Sequence, residues 1–455
     1  MSVLISAAVF IAAMIACMIA GVDTVFALLL GIVLFSAIGL RRGHRPGELW
    51  HMMWSEGRKL IPLLLIFVFI GSITGLWRSS GTITFFIYHG IQIIRPGIFI
   101  LVAFLLTCLL SYALGTSFGV TGTVGIILMA LARSGGVDPM ITAGAVLSGA
   151  YFGDRCSPAS SSGLLVAAVT ETKQYDNIRR MHRTGWLPMV VSIAIYAALS
   201  AANPIRAVED SLLSTLTDSF SLSLWTVVPA VLMLVLPMVK VSIRTTLIVS
   251  CAAAFVVSVL VQGMTVGETL RAAVLGYVPR SAELTEILSG GGVLNMMGTS
   301  FAVMATGLFA GLLSGLGVLD GLKSAVEIVA EKWGLFTATV LVSLLAGMIF
   351  CNQSIIIMMA YPLLRDVYAR CGHGKEELAL DVENSGIVMA ALIPWNIAGS
   401  VPLQMLDAGS GAIPYMVLLY MIPLCYGLNK KWLTKGLFSQ KEKKNDRNTG
   451  QMADS

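Results

Sequence analysis

Charge is the scarcest commodity in this sequence. Asp, Glu, Lys and Arg make up 12% of its 455 residues, where a soluble chain carries about twice that fraction; 56% are hydrophobic and the mean hydropathy is +0.83. A soluble domain is thereby excluded, because most of the surface must face lipid. Paired cysteines are lacking too. Cys17, Cys108, Cys156, Cys251, Cys351, Cys371 and Cys425 are scattered, mostly in apolar runs, with no CxxC spacing. This argues against a disulfide framework or a thiolate metal site and leaves small hydrophobes in helix packing. No phosphate-cradling loop, no His/Cys metal spacing and no GxSxG elbow occurs, so neither an ATP-driven pump nor a hydrolase is indicated. The N-terminus, Met-Ser-Val-Leu-Ile, has no basic region and no small-residue cleavage site; it reads as a first span and not as a cleaved signal peptide.

What is present is a succession of apolar runs near the ~20 residues that cross a bilayer. They lie at about 3–20, 24–40, 60–77, 97–114, 186–202, 224–239, 245–261, 293–319, 335–350 and 413–428. The net charge of +5 is unevenly placed. Lys and Arg crowd into Arg41–Lys59, Lys173–Arg183, Lys240/Arg244 and the tail from Lys430 to Arg447, which the positive-inside rule puts in the cytoplasm. Stretches 203–220 and 262–289 lack that excess and read as external, so both termini face the cytoplasm. The Lys-rich tail is expected to be disordered and to touch anionic lipid head groups.

Sliding the chain along itself by about 236 residues lines up two halves. Gly71, Gly75, Gly81 and Ile83 fall on Gly307, Gly311, Gly317 and Leu319, and Thr116-Ser117 falls on Asn352-Gln353. One residue further out of step, Ser148-Gly149 falls on Ser385-Gly386 and Arg133 on Arg370. The segment before the first half, 41–59, is placed inside by its charges, whereas its counterpart, 262–289, is placed outside. The repeats are therefore inverted, as in many secondary transporters. Two features break the helical pattern in each half. One is Gly115-Thr-Ser-Phe-Gly119, matched by Cys351-Asn-Gln-Ser354. The other is a pair of stretches too short to span: 139–152 and 159–171 around Gly153–Pro158, and 378–392 and 397–407 around Ile393–Ala398. About 13 helical residues reach only ~20 Å, so each pair is expected to form a re-entrant hairpin, the first entering from the cytoplasm and the second from outside.

Backbone that leaves the helix inside a bilayer must meet protein or water, so such breaks usually line a cavity. Thr116, Ser117, Asn352, Gln353 and Ser354 supply oxygens suited to Na⁺; their plainer role is to recap broken backbone. Asp154 is an ionisable group well inside a membrane segment, a functional candidate by default, at which protons and Na⁺ can compete. A pairing of Asp154 with Arg155 would instead make the two structural. Ser157-Pro158 and Ser160-Ser161-Ser162 open the returning half-helix with capping chemistry. Glu383 and Asn384 precede Pro394-Trp395-Asn396, with Glu383 expected in a water-accessible cavity or, failing that, at the outer interface.

Trp77 followed by Gly81-Thr-Ile83, Gly115-Thr-Ser-Phe-Gly-Val-Thr-Gly-Thr123, Ser148-Gly-Ala-Tyr-Phe-Gly-Asp-Arg-Cys-Ser-Pro158, Gly290-Gly-Gly292 and Ile393-Pro-Trp-Asn396 together resemble the NhaC-type sodium/proton antiporter family of the ion-transporter superfamily, over residues 45–428. The resemblance implies secondary active transport across a bacterial inner membrane, with Na⁺ exchanged for H⁺; some members are assigned organic-acid/Na⁺ exchange or amino-acid uptake. Two departures matter. Ser161 stands where the family's S-P-x-S-D-T-T run has its acid, and an acidic pair becomes Glu383-Asn384. Fewer fixed negative charges leave more room for a substrate with its own carboxylate.

The expectation is an all-α polytopic membrane protein of two inverted repeats with discontinuous helices and re-entrant hairpins. It divides into N-terminal helices (1–44), a first repeat (45–185, hairpin 139–171), connecting helices (186–265), a second repeat (266–410, hairpin 378–407), a last helix (411–429) and a basic tail (430–455). The function expected is Na⁺/H⁺ antiport by alternating access, with Na⁺- or H⁺-coupled transport of an amino acid or small carboxylate as the alternative. Ion or substrate contacts fall to Asp154, Ser157, Thr116, Ser117, Asn352, Gln353, Ser354, Glu383, Asn384 and Asn396, with transient Na⁺ at Asp154, Thr116 and Ser117. No cofactor, no enzymatic activity and no nucleic-acid partner is expected; the partners are small ions or solutes and the bilayer, with a homodimer left open.

Overall fold

The computed structural model describes residues 3–434 apart from 21, 23, 94–95, 206–209, 240, 282–283 and 318–322, so the basic tail past Thr434 lies outside the described residues. Among the described residues the chain is helical and forms no strand, only an isolated bridge between Tyr277 and Gly290. In order, the helices are α1 (Val3–Ile19), α2 (Val25–Arg41), α3 (Pro46–Gly57), α4 (Ile61–Ser79), α5 (Thr82–Ile93), α6 (Phe99–Leu114), α7 (Ser117–Val120), α8 (Ile126–Ser134), α9 (Pro139–Cys156), α10 (Ser161–Val169), α11 (Gln174–Ala202), α12 (Asp210–Ser219), α13 (Val228–Met238), α14 (Ile243–Leu260), α15 (Val266–Leu275), α16 (Thr285–Leu288), α17 (Met297–Gly315), α18 (Lys323–Trp333), α19 (Leu335–Phe350), α20 (Gln353–Arg370), α21 (Lys375–Glu383), α22 (Gly386–Met389), α23 (Ile397–Met405) and α24 (Val417–Leu433).

Polarity is inside out. Leu109, Leu260 and Leu428 are exposed, while Asp154, Arg155, Asp381, Glu383, Asn384 and Asn396 are buried. In water that pattern exposes apolar surface and buries charge, both unfavourable; in lipid it puts the ionisable groups where they can pair with one another. Among the described residues, 46–79, 117–134, 174–202 and 293–315 are long and apolar enough to cross a membrane, and shorter apolar helices accompany them. The protein is a multi-pass membrane protein.

Both kinds of interruption expected from the sequence are present, but they exchange places. α6 runs parallel to α9, with Thr107 and Ser111 against Gly149 and Gly153. The chain then turns at Gly115, in the left-handed region (φ 69°), and at extended Thr116 (φ −144°, ψ 126°). It returns antiparallel to α9: Ser117 meets the Tyr151 side chain and Gly125 lies against Val146. A short turn capped by Asp138, whose side chain accepts from Met140 N at 2.8 Å, starts α9. The Gly115 break is thus the tip of a helical hairpin. Its counterpart is the tip of another: Cys351 (φ 53°) and Asn352 (φ −141°, ψ 123°) reverse the chain, and Thr339 Oγ1 on α19 lies 2.7 Å from Tyr368 Oη on α20.

Segments 139–171 and 378–407, expected as hairpins, are instead broken rods. Past Cys156 the chain leaves α9 and follows α20, from Ser162 beside Gln353 to Glu171, 3.5 Å from Lys375 Nζ. Segments Lys375–Leu392 and Ile397–Met405 meet at a bend of 52°, far short of a reversal. The short helices that suggested a returning hairpin are short because an unwound stretch divides one oblique rod. α9 itself extends to Cys156, four residues past the expected end.

The glycines aligned by the 236-residue shift do matching work. A Cβ on Gly75 would lie 2.1 Å from Ala272 O, and one on Gly311 2.4 Å from Met52 O, so α4 and α17 each receive another helix's backbone at contact distance. Arg133 and Arg370 each end a hairpin and bond an acid, Asp407 and Glu327.

The matched tips differ in one respect that can be measured. A Cβ on Gly115 would sit 2.4 Å from Ala159 C in a left-handed residue. Gly115→Ala is therefore expected to lower thermal stability by about 1–3 kcal/mol. Cys351→Gly, which relieves a left-handed residue bearing a side chain, leaves stability unchanged or raised. Melting of the purified protein in detergent checks both; equal losses would contradict the correspondence.

Candidate functional site

Four helix interruptions meet at one place. The Tyr151 hydroxyl, on the first rod, donates to Ala398 O on the second at 2.5 Å and also bonds the Ser117 side chain at the first hairpin tip. At the other tip Cys351 O accepts from Ile397 N at 3.0 Å. Asn396 Nδ2 donates to Gly347 O at 3.0 Å and Trp395 Nε1 to Met348 O at 2.9 Å. Backbone freed by one break is satisfied by the next, which a bilayer interior demands.

Asp154 sits within this junction, on the last turn of α9 and 4% exposed. Its Oδ2 accepts from Ser162 Oγ at 3.1 Å and from Gln353 Nε2 at 3.3 Å. Gln353 is held by a second bond, from Nε2 to Ile387 O at 3.0 Å, and its Oε1 lies 3.5 Å from Ser162 Oγ. Ser160 caps α10 by accepting from Gly163 N at 2.9 Å and donates to Asp154 O. One carboxylate therefore gathers side chains from both halves of the first rod and from the second hairpin tip. Every neighbour carries oxygen, so the cluster can present lone pairs to a cation or donors to an anion.

Arg155 turns away from Asp154, as adjacent residues on a helix do. Its Nη2 donates to Asn384 Oδ1 at 2.5 Å and to Met181 O at 3.3 Å. The Asp154–Arg155 pairing weighed above is not formed. Glu383 is fully buried, neither in an open cavity nor at an interface, and its Oε1 accepts from Asn177 Nδ2 on α11 at 3.2 Å. Two polar clusters thus flank the end of α9, one around Asp154 and one holding Arg155 and Glu383.

Other sequence candidates serve the backbone. Thr116 Oγ1 accepts from Gly119 N at 3.3 Å, and Asn352 Oδ1 from Ser354 N at 2.9 Å. Asn396 Oδ1 accepts from Ala398 N at 3.0 Å, and Ser157 Oγ donates to Tyr112 O at 2.6 Å. Ser354 lies on an exposed surface. Of the residues proposed to hold Na⁺ together, Ser117 reaches the Asp154 region through Tyr151, whereas Thr116 is engaged as a cap.

Sequence reading missed Ser162, which it treated as capping alone, and Asn177, Tyr151 and Asp381. Asp381 is fully buried and accepts from Tyr368 Oη at 2.5 Å, Tyr426 Oη at 2.7 Å and Lys430 Nζ at 2.5 Å. Lys430 also reaches Glu377 at 2.9 Å, and Glu377 meets His373 at 2.7 Å. An acid two residues before Glu383 in an apolar stretch was the available signal.

Comparison with known proteins places these residues in context. A family model described as the Na⁺/H⁺ antiporter family matches residues 1–199 and 164–428. The chain is 28% identical over 420 residues to the malate-2H⁺/Na⁺-lactate antiporter of Bacillus subtilis, covering 89% of this chain and 90% of that one. It is 25% identical over 376 residues to the Na⁺/H⁺ antiporter NhaC of Alkalihalophilus pseudofirmus, covering 81% of each. It is also 27% identical over 346 residues to the arginine/ornithine antiporter ArcD of Halobacterium salinarum, covering 74% of this chain and 70% of that one.

The Asp381 cluster makes a stability prediction. Lys430→Met leaves a buried carboxylate without its cation and should cost of order 3 kcal/mol, read as a lower melting temperature in detergent. Adding Asp381→Asn to that variant should recover part of the loss. No recovery would mean that Lys430 contributes through packing alone.

Proposed function

The chain belongs to the Na⁺/H⁺ antiporter family, and from that premise we propose that it exchanges Na⁺ for H⁺ by alternating access, with Asp154 as the carboxylate for which the two cations compete. It is a transporter of small ions or solutes and not an enzyme. The observation that carries the reading is the meeting of four helix breaks around one buried acid. Ser162 and Gln353 now donate to Asp154, yet both also carry oxygens. Rotating the hydroxyl and turning the carboxamide would replace two donors by two ligands, so the same cluster suits a proton on the carboxylate or a Na⁺ beside it.

The two halves are proposed as inverted repeats. The hairpins then enter from opposite faces, the first from outside and the second from the cytoplasm, with both termini cytoplasmic in the inner membrane of a bacterium. Two rods crossing between two hairpins allow one half to rock against the other around the shared junction. A second reading, coupled transport of an amino acid or small carboxylate, is favoured by one observation: the buried Arg155, whose hydrogen-bond partners are neutral.

Reconstituted in liposomes with an internal pH dye, the protein should raise internal pH when Na⁺ is added outside, with no organic solute present. Proton movement that required an amino or organic acid would overturn antiport of the two cations alone. Asp154→Asn should abolish the signal while the protein remains in the membrane; transport at normal rates in that variant would remove Asp154 from the site. Because one carboxylate takes either cation, a tenfold rise in proton concentration below its titration point should raise the apparent KM for Na⁺ by up to about tenfold. A KM independent of pH would show separate sites.

A further inference from the structure

One end of the helix bundle carries a cleft that the Asp154 junction does not use. It lies between the α18–α19 turn and the end of α24 and encloses about 1030 Å³. Its apolar part runs along Val340 on α19 and along Leu424 and Leu428 on α24, the last two a turn apart on one helix face and both exposed. Phe336 backs it, so close to α24 that a Cβ on Gly427 would lie 3.2 Å from the ring. Trp333 and Trp432, also exposed, line the mouth beside the helix ends, where tryptophan marks the depth of lipid head groups. About 12 Å of helix separates Trp432 from Leu424. The polar end holds His373, Glu377 and Lys430. Lys430 Nζ lies 5.8 Å from the centre of the Phe336 ring, 2.9 Å from Glu377 Oε1 and 2.5 Å from Asp381 Oδ2, and His373 Nδ1 lies 2.7 Å from Glu377 Oε2. Charges of both signs thus alternate within a few bonds' reach, and the lysine already meets two carboxylates. An anionic head group finds no net positive charge there, whereas a zwitterionic one meets an opposite partner for each of its charges.

We propose that this cleft binds one phospholipid whose head group carries a primary ammonium next to its phosphate. The ammonium donates to Glu377, whose two oxygens each accept one contact from Lys430 and His373 and keep a lone pair for another. The phosphate accepts from Lys430, an ammonium with three donors of which the two carboxylates take two. One acyl chain lies along Val340, Leu424 and Leu428, with the tryptophans beside the glycerol. A quaternary choline head group has no N–H to give Glu377, and phosphatidylglycerol brings a negative charge without a positive one. Glu377 belongs to α21, the first segment of the second rod, so the lipid ties α19 and α24 to that rod. Lipid occupancy requires only that the chain spans a membrane, so its failure would leave the exchange of Na⁺ for H⁺ untouched.

The test uses the full-length protein, delipidated in detergent and melted with phosphatidylethanolamine, phosphatidylcholine or phosphatidylglycerol of matched acyl chains at rising mole fraction. Phosphatidylethanolamine should reach its half-maximal rise in melting temperature at a concentration about tenfold lower than the other two, the ratio set by one charge-assisted hydrogen bond. Glu377→Gln should bring its response to the phosphatidylcholine level. Leu424→Trp, a substitution on the lipid-facing side, should fill the cleft and remove the preference while the lipid-free melting temperature stays near that of the wild type. Equal responses to the three lipids, or a stronger one to phosphatidylglycerol, would overturn the proposal in the wild-type protein alone. A preference that survived both substitutions would put the lipid elsewhere on the protein and overturn it as well.

Discussion

A peptide group that leaves its helix inside a bilayer has no water to turn to, and each unsatisfied donor or acceptor there costs several kcal/mol. Everything distinctive in this fold follows from meeting that demand at four places at once. Cys351 O takes the Ile397 amide, Ala398 O takes the Tyr151 hydroxyl, and Gly347 O and Met348 O take Asn396 and Trp395. Two hairpin tips and two divided rods solve one another's problem, so none can be moved without re-satisfying the rest. The small residues lining α4, α9 and α17 serve the same end by letting backbones approach closely enough for the junction to close.

Within that junction a one-residue step along α9 separates two chemistries. Asp154 faces oxygen-bearing side chains of the first rod and the second tip; Arg155 faces α11 and α21. The related proteins named above exchange ions, hydroxy acids or basic amino acids. In this chain one polar cluster of the junction is centred on an acid and its neighbour on a base.

Much of this was legible in the sequence. Scarce charge, ten apolar runs and the polar interruptions named the class, and Gly115–Gly119 against Cys351–Ser354 located two of the breaks, though as interruptions of a helix and not as hairpin tips. What misled was length: 139–152 and 159–171 are each too short to span, and a reversal and an oblique break leave the same signature. Only packing separates them, here α10 lying along α20 instead of folding back on α9. Rotation was hidden for a similar reason. Asp154 and Arg155 are neighbours in the chain, and their opposite directions depend on a helix continuing to Cys156. Ser162 was passed over because a run of three serines after a proline is fully accounted for by capping, a role that Ser160 alone performs.

The Tyr151–Ala398 hydrogen bond joins the two rods directly, and any motion that parted them would have to open it. A single such bond is worth about 1 kcal/mol net, which slows a step by a factor of about five. That is a small brake on turnover. In a resting protein it is also a catch against spontaneous opening, and the same factor divides the rate at which ions would leak down their gradient when no substrate is bound.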